Sequence, residues 1–144
     1  IKCKLRPFPG VKLLVPLVAA RYPLAIASGA LRSEIEMITE RISLIKYFQV
    51  IVSTEDTNEG KPSPEIFIKA LALLNHNRPG GEPIHPSECL VIEDSKEGIL
   101  GAHRAGIKCL AVANSHPAEE LTEADAVVRS LEEVDLEYLE KLVS

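Results

Sequence analysis

The feature that most constrains the fold of this 144-residue chain is an alternation. Short, unbroken apolar runs at Pro23–Ala27, Val50–Val52, Cys89–Ile92 and Ile107–Ala113 are separated by segments whose apolar residues recur at helical spacing. An apolar run without a polar face reads as a strand buried on both sides, the kind that parallel sheets contain. Between the runs, Val11–Tyr22 carries Val11, Leu14, Val15, Val18 and Ala19 on one face, with Pro16 expected to kink it. Leu31–Ile42 repeats the spacing through Ile35, Ile38 and Ile42. Pro64–Leu74 opens with a proline in its first turn, and Lys96–Ala105 stops at Gly106, a left-handed helix end. A brief strand at Ala126–Val128 and a helix over Val134–Val143 complete the series. The reading is α/β: right-handed βαβ units forming a three-layer αβα sandwich on a Rossmann-like parallel sheet.

Composition narrows the function classes. Sixteen basic residues against 21 acidic ones give a net charge of −5, without the basic excess that displaces counterions from nucleic acid. No nucleic-acid partner is expected. The longest apolar stretch, Val11–Ala20, is broken by Lys12 and Pro16 and is too short to span a bilayer, so no membrane association is expected. Cys3, Cys89 and Cys109 are odd in number and form no CxxC, which disfavours disulfides and zinc and predicts a cytoplasmic setting. The 144 residues read as a single domain, without repeats or low-complexity tracts.

Ligands of such sheets bind beyond the carboxyl ends of the strands. There the chain places Ser28-Gly29 after the first run, and Glu55, Asp56 and Gly60-Lys61-Pro62 after the second. Glu93-Asp94-Ser95 follow the third run and Asn114-Ser115 the fourth. Adjacent carboxylates repel, and a hard cation held through oxygen relieves that cost. A hydroxyl, an amide and a lysine supply donors for phosphoryl oxygens. Each element has a plainer reading: a helix-start turn at Ser28, a surface lysine at Lys61, an acidic helix N-terminus at Glu93-Asp94. Their coincidence at successive strand ends points to metal-assisted phosphoryl transfer. Asp125 reads as a turn residue and Glu132-Glu133 as a solvated helix start.

The segments IASGA (26–30), GKPSPEIF (60–67) and VIEDSKEGILGAHRAGI (91–107) resemble the second, third and fourth motifs of the haloacid dehalogenase superfamily, in the branch of phosphoglycolate phosphatases and β-phosphoglucomutases. The resemblance implies that Ser28 and the Gly29 amide bind the transferring phosphoryl group. Lys61 would stabilise charge on the nucleophile and phosphate, and Glu93 and Asp94 would hold Mg²⁺ directly or through water. Catalytic roles thus fall to Ser28 and Lys61, and the expected substrate is a small phosphorylated metabolite. Lys61 and Asp94 are expected at strand-end loops with little packing to lose.

The family's first motif, DxDxT/V, supplies the nucleophile and the general acid/base. None of Asp56, Asp94, Asp125 and Asp135 stands in a DxD. Residues 1–144 therefore read as the carboxyl-terminal part of the core, lacking the nucleophile strand and the cap. A preceding segment of the same protein is the expected partner, and the 1–144 chain alone is expected to be inactive. The absent strand would lie between those ending at Ser28 and Glu93. Two alternatives to a phosphatase stay open: a β-phosphoglucomutase-like mutase and a non-catalytic binding module. Mutases of this branch carry Ser-Lys-Asn where this chain has Ala30-Leu31-Arg32, leaving Arg32 as the possible substrate contact.

Overall fold

The computed structural model describes residues 9–114 and 116–144. Its strands are β1 (Ala25–Ala27), β2 (Val50–Val52), β3 (Leu90–Glu93), β4 (Lys108–Val112) and β5 (Ala126–Val128). Its helices are α1 (Val11–Ala19), α2 (Arg32–Arg41), α3 (Glu65–His76), α4 (Lys96–Arg104) and α5 (Leu136–Val143). All pairings are parallel, with Ile26 opposite Ile51, Ile92 opposite Leu110 and Ala111 opposite Val127. Among the described residues the strands form two groups, β1-β2 and β3-β4-β5. Cys3 and Ser115 lie outside the described residues.

The pleat sorts side chains into two layers, because successive residues of a strand face opposite ways. Val50 and Val52 of β2 and Cys109 and Ala111 of β4 join Ile66, Phe67 and Ala70 of α3 and Ile99 and Ala102 of α4 in one core. On the opposite face, Leu110 and Val112 of β4 pack with Val11, Leu14 and Val15 of α1 and Leu139 of α5. Ile26 of β1 meets Ile35 of α2 on that same face. This is the expected αβα sandwich. One core takes in residues of both strand groups, so a shared helical layer of α3 and α4 holds them together. No described helix is long and apolar enough to cross a membrane.

The differences from the sequence reading are local. β3 extends one residue further than its apolar run, because Glu93 continues the parallel ladder opposite Ala111. α1 runs through Pro16 to Ala19, three residues short of Tyr22. α5 begins only at Leu136, since the Asp135 carboxylate accepts from the Tyr138 N–H and caps it there. Glu132 and Glu133 belong instead to a single 3₁₀ turn, Leu131–Glu133, ahead of that helix. Gly10, at φ 90, lies so close to the backbone of Leu131 and Glu132 that a Cβ would collide with it.

Asp125 is more than a turn residue. One of its oxygens accepts from the Cys109 backbone N–H at 2.7 Å and lies 2.9 Å from Nε2 of His103. Burial pushes its carboxyl up, but the Cys109 N–H and His103 outweigh this and hold it below the ordinary carboxylate value. A lowered carboxyl contributes stability above its unfolded-state value and loses it as pH falls through the folded-state one. Asp125→Asn is accordingly expected to cost about 1 kcal/mol at neutral pH, the side chain being partly exposed. In urea unfolding the gap between wild type and variant should close in acid. A gap that persists below the carboxylate range would show that the charge is not what matters.

Candidate active site

Three strand ends meet at one cleft. It has a volume of about 260 Å³ and is lined by Gly29, Thr54, Thr57, Gly60, Lys61, Ile66, Ser95 and Glu97. Ser28 follows β1 and extends its ladder, its N–H donating to the Val52 carbonyl at 3.0 Å. The Ser28 side chain is wholly buried, and its oxygen accepts from the Ala30 N–H at 3.1 Å. The loop after β2 carries Lys61, whose peptide to Pro62 is cis. The first turn of α3 anchors that loop: the Glu65 carboxylate accepts from the backbone N–H groups of Asn58 and Glu59 at 2.9–3.1 Å. Those two bonds hold the Glu65 carboxyl below its ordinary value.

Lys61 spans the two strand groups. Its ammonium lies 2.8 Å from Oε2 of Glu93 at the end of β3 and 3.4 Å from the Ala27 carbonyl at the end of β1. The same ammonium sits 5.1 Å above the Phe67 ring. The Lys61 and Glu93 side chains are 9% and 1% exposed, so the pair is buried rather than superficial. Oε1 of Glu93 accepts from the Asp94 N–H at 3.0 Å and the Ser95 hydroxyl at 3.2 Å. The Ser95 oxygen in turn accepts from the Gly98 N–H at 3.1 Å and caps α4. Asp94 follows directly and is wholly buried.

Ser28, Gly29, Lys61, Glu93 and Asp94 thus gather at the ends of β1, β2 and β3. Of these, Gly29 and Lys61 line the cleft itself, while Ser28, Glu93 and Asp94 are buried and, like Arg32, Glu55 and Asp56, are not among its lining residues. The Arg32 guanidinium donates to the Ile51 carbonyl at 2.6 Å and to Asp56 at 3.0 Å. Glu55 accepts from the Arg32 backbone N–H at 2.9 Å. The Ser53 N–H and hydroxyl, with Arg32, hold the Asp56 carboxyl below its ordinary value. These groups lace the loop after β1 to the loop after β2. The expectation of Lys61 and Asp94 as lightly packed loop residues is corrected as well, because an ion pair and an aromatic ring enclose Lys61 and Asp94 is wholly buried.

Two residues have no role of their own in the sequence reading. Gly98 is one: a Cβ there would overlap the Glu93 carboxylate, so only glycine leaves room for it. Its signal was in the VIEDSKEG run, but the reason for it was not. Glu97 is the other, and its position between lysine and glycine gave no sign that it lines a cleft.

The family model for haloacid dehalogenase-like hydrolases matches residues 2–112. The chain belongs to that family. A chloroplastic 5-amino-6-(5-phospho-D-ribitylamino)uracil phosphatase of Arabidopsis thaliana is 39% identical to it over 88% of this chain and 32% of its own length. Validoxylamine A 7'-phosphate phosphatase of Streptomyces hygroscopicus subsp. limoneus is 34% identical over 86% of this chain and 54% of its own length. In structure the chain resembles β-phosphoglucomutase from Clostridium difficile, with a TM-score of 0.79 and 25% identity, over 94% of this chain and 56% of the other. The chain therefore spans about a third to a half of the length of these relatives, and the shared haloacid dehalogenase fold is Rossmann-like α/β.

Sites of this family imply Mg²⁺, and the residues here fit it. Glu93 and Asp94 are adjacent oxygen-only donors at the end of β3, Glu93 already accepting from Lys61, the Asp94 N–H and the Ser95 hydroxyl, and Asp94 wholly buried beside it. Mg²⁺ binds through one or two carboxylates and fills its shell with water and substrate phosphate, which is what such a pair offers. Cys109, buried in the same core, takes no part: burial pushes its thiol up to about 12, so it stays protonated at neutral pH.

Proposed function

We propose that the complete protein is a Mg²⁺-dependent phosphatase of small phosphorylated metabolites, working through an aspartyl-phosphate. The observation that carries this reading is the buried Lys61 ammonium, held between the ends of β1 and β3 in a cleft shared with Gly29 and Ser95. A preorganised cation in a desolvated site stabilises the charge that develops on a transferring phosphoryl group. Ser28 and the Gly29 amide would bind the phosphoryl oxygens, and Glu93 and Asp94 would hold Mg²⁺, directly or through water. The ion, when bound, supplies charge neutralisation between the carboxylates and the phosphate.

The nucleophile would come from a segment of the protein outside residues 1–144, seated between β1 and β3. The chain's own aspartates have other work: Asp56 pairs with Arg32, Asp125 holds Cys109, and Asp135 caps α5. Asp94 belongs with Glu93 on the metal side. A cytoplasmic setting is part of the same proposal.

Hydrolysis is favoured over mutase chemistry by one observation. Ala30 and Leu31 offer no polar side-chain group to a second phosphate, and the guanidinium of Arg32 is engaged by Asp56 and the Ile51 carbonyl. The complete protein is expected to release phosphate from p-nitrophenyl phosphate with Mg²⁺ and to stop on chelation. Residues 1–144 alone should release none. With β-glucose 1-phosphate and a trace of glucose 1,6-bisphosphate, free phosphate should form faster than glucose 6-phosphate. The opposite order would establish the mutase; metal-dependent turnover by residues 1–144 alone would refute the external nucleophile. Phosphate binding without any turnover would leave a binding module.

A further inference from the structure

The cleft has one acidic wall. Glu97 lies in the first turn of α4, exposed, and is the only carboxylate among the lining residues. Other carboxylates around the cleft are committed: Glu93 to Lys61, Glu55 to the Arg32 N–H, Asp56 to Arg32, Glu65 to the loop that carries Lys61. Glu97 makes no hydrogen bond or ion pair with any described residue. The rest of the outer lining is neutral and polar, from Thr54 and Thr57, with Ile66 as its apolar element.

We propose that Glu97 is a specificity-determining residue, selecting phosphomonoesters whose leaving group is neutral or cationic over those carrying a second anionic group. This rests on the phosphatase reading of the same cleft and names its substrate class. On the phosphatase reading the phosphoryl group seats against Lys61 and Gly29, and Thr54, Thr57 and Glu97 are further polar residues of the same lining, open to the rest of the substrate. A carboxylate or second phosphate there meets like charge in a half-enclosed space, where repulsion is less damped than in bulk water. An amine or hydroxyl meets an acceptor instead. Rejection by an unpaired like charge is a general route to selectivity.

The test uses the complete protein and a matched pair of ligands, phosphoethanolamine and phosphoglycolate, which differ at one end by an ammonium and a carboxylate. Affinity is measured by calorimetry and kcat/KM by phosphate release, for wild type and Glu97→Gln, at low and high salt. Wild type should favour phosphoethanolamine, and Glu97→Gln should narrow that preference by roughly three- to tenfold at low salt. The difference between the proteins should shrink at high salt, where exposed charges are screened. If both ligands turn over and Glu97→Gln leaves their ratio unchanged, the role of Glu97 is refuted while the phosphatase stands. If the affinity ratio shifts as expected but neither ligand nor p-nitrophenyl phosphate is hydrolysed, the role of Glu97 stands and the phosphatase falls. If neither ligand binds while p-nitrophenyl phosphate is hydrolysed, the role of Glu97 is refuted and the phosphatase stands.

Discussion

Lys61→Ala in the complete protein is expected to lower kcat by about 10²–10³-fold, the typical effect of removing one preorganised charge partner from a transition state. It is also expected to cost stability, unlike the loss of an ordinary loop lysine. The Lys61–Glu93 pair is buried at 2.8 Å, and removing one member of such a pair typically costs about 3–5 kcal/mol. The two effects can be separated. Combining Lys61→Met with Glu93→Gln removes both charges and keeps most of the volume, so much of the lost stability should return. Turnover should not return. Recovery of turnover together with stability in the double variant would mean that Lys61 only supports the fold.

Gly98→Ala should be nearly as damaging, although alanine is the better helix former by about 1 kcal/mol. The added methyl would occupy the space of the Glu93 carboxylate, which Lys61, the Asp94 N–H and the Ser95 hydroxyl pin in place. Overpacking a rigid interior costs about 1–3 kcal/mol. Any escape of Glu93 also drags Lys61 from between the ends of β1 and β3. A lower melting temperature together with a fall in kcat of at least tenfold is therefore expected, on the order of 1.4 kcal/mol of barrier. A Gly98→Ala protein that melts later than wild type and turns over normally would show that Glu93 has room to spare.

Much of this protein was legible in its residues. The unbroken apolar runs at Val50–Val52 and Ala126–Val128 are strands as read, because nothing in them has a polar side to leave in water. Gly106 ends α4 with φ 79, since the left-handed turn there suits a residue without Cβ. Ser28, Gly29, Lys61, Glu93 and Asp94 were named from their positions after apolar runs, and the fold carries them to neighbouring strand ends. Helix ends were harder to read, as α5 shows: a side-chain cap at Asp135 decided its start, and apolar spacing is blind to caps.

Spacing along the chain determined the layers of this protein and the chemical types gathered at its strand ends, because both follow from periodicities of 3.6 and 2 residues. Partnership was decided only by the tertiary structure. Arg32 and Asp56 are 24 residues apart and Lys61 and Glu93 are 32 apart, and no local rule says which cation meets which carboxylate. The Ile51 carbonyl and Asp56 hold the Arg32 guanidinium, which does not line the cleft. Extending β3 by one residue buried Glu93 over Gly98, while Glu97, four residues on, stays exposed at the cleft. A charge in water is interchangeable with its neighbours; once burial makes its solvation costly, the nearest partner defines what it does.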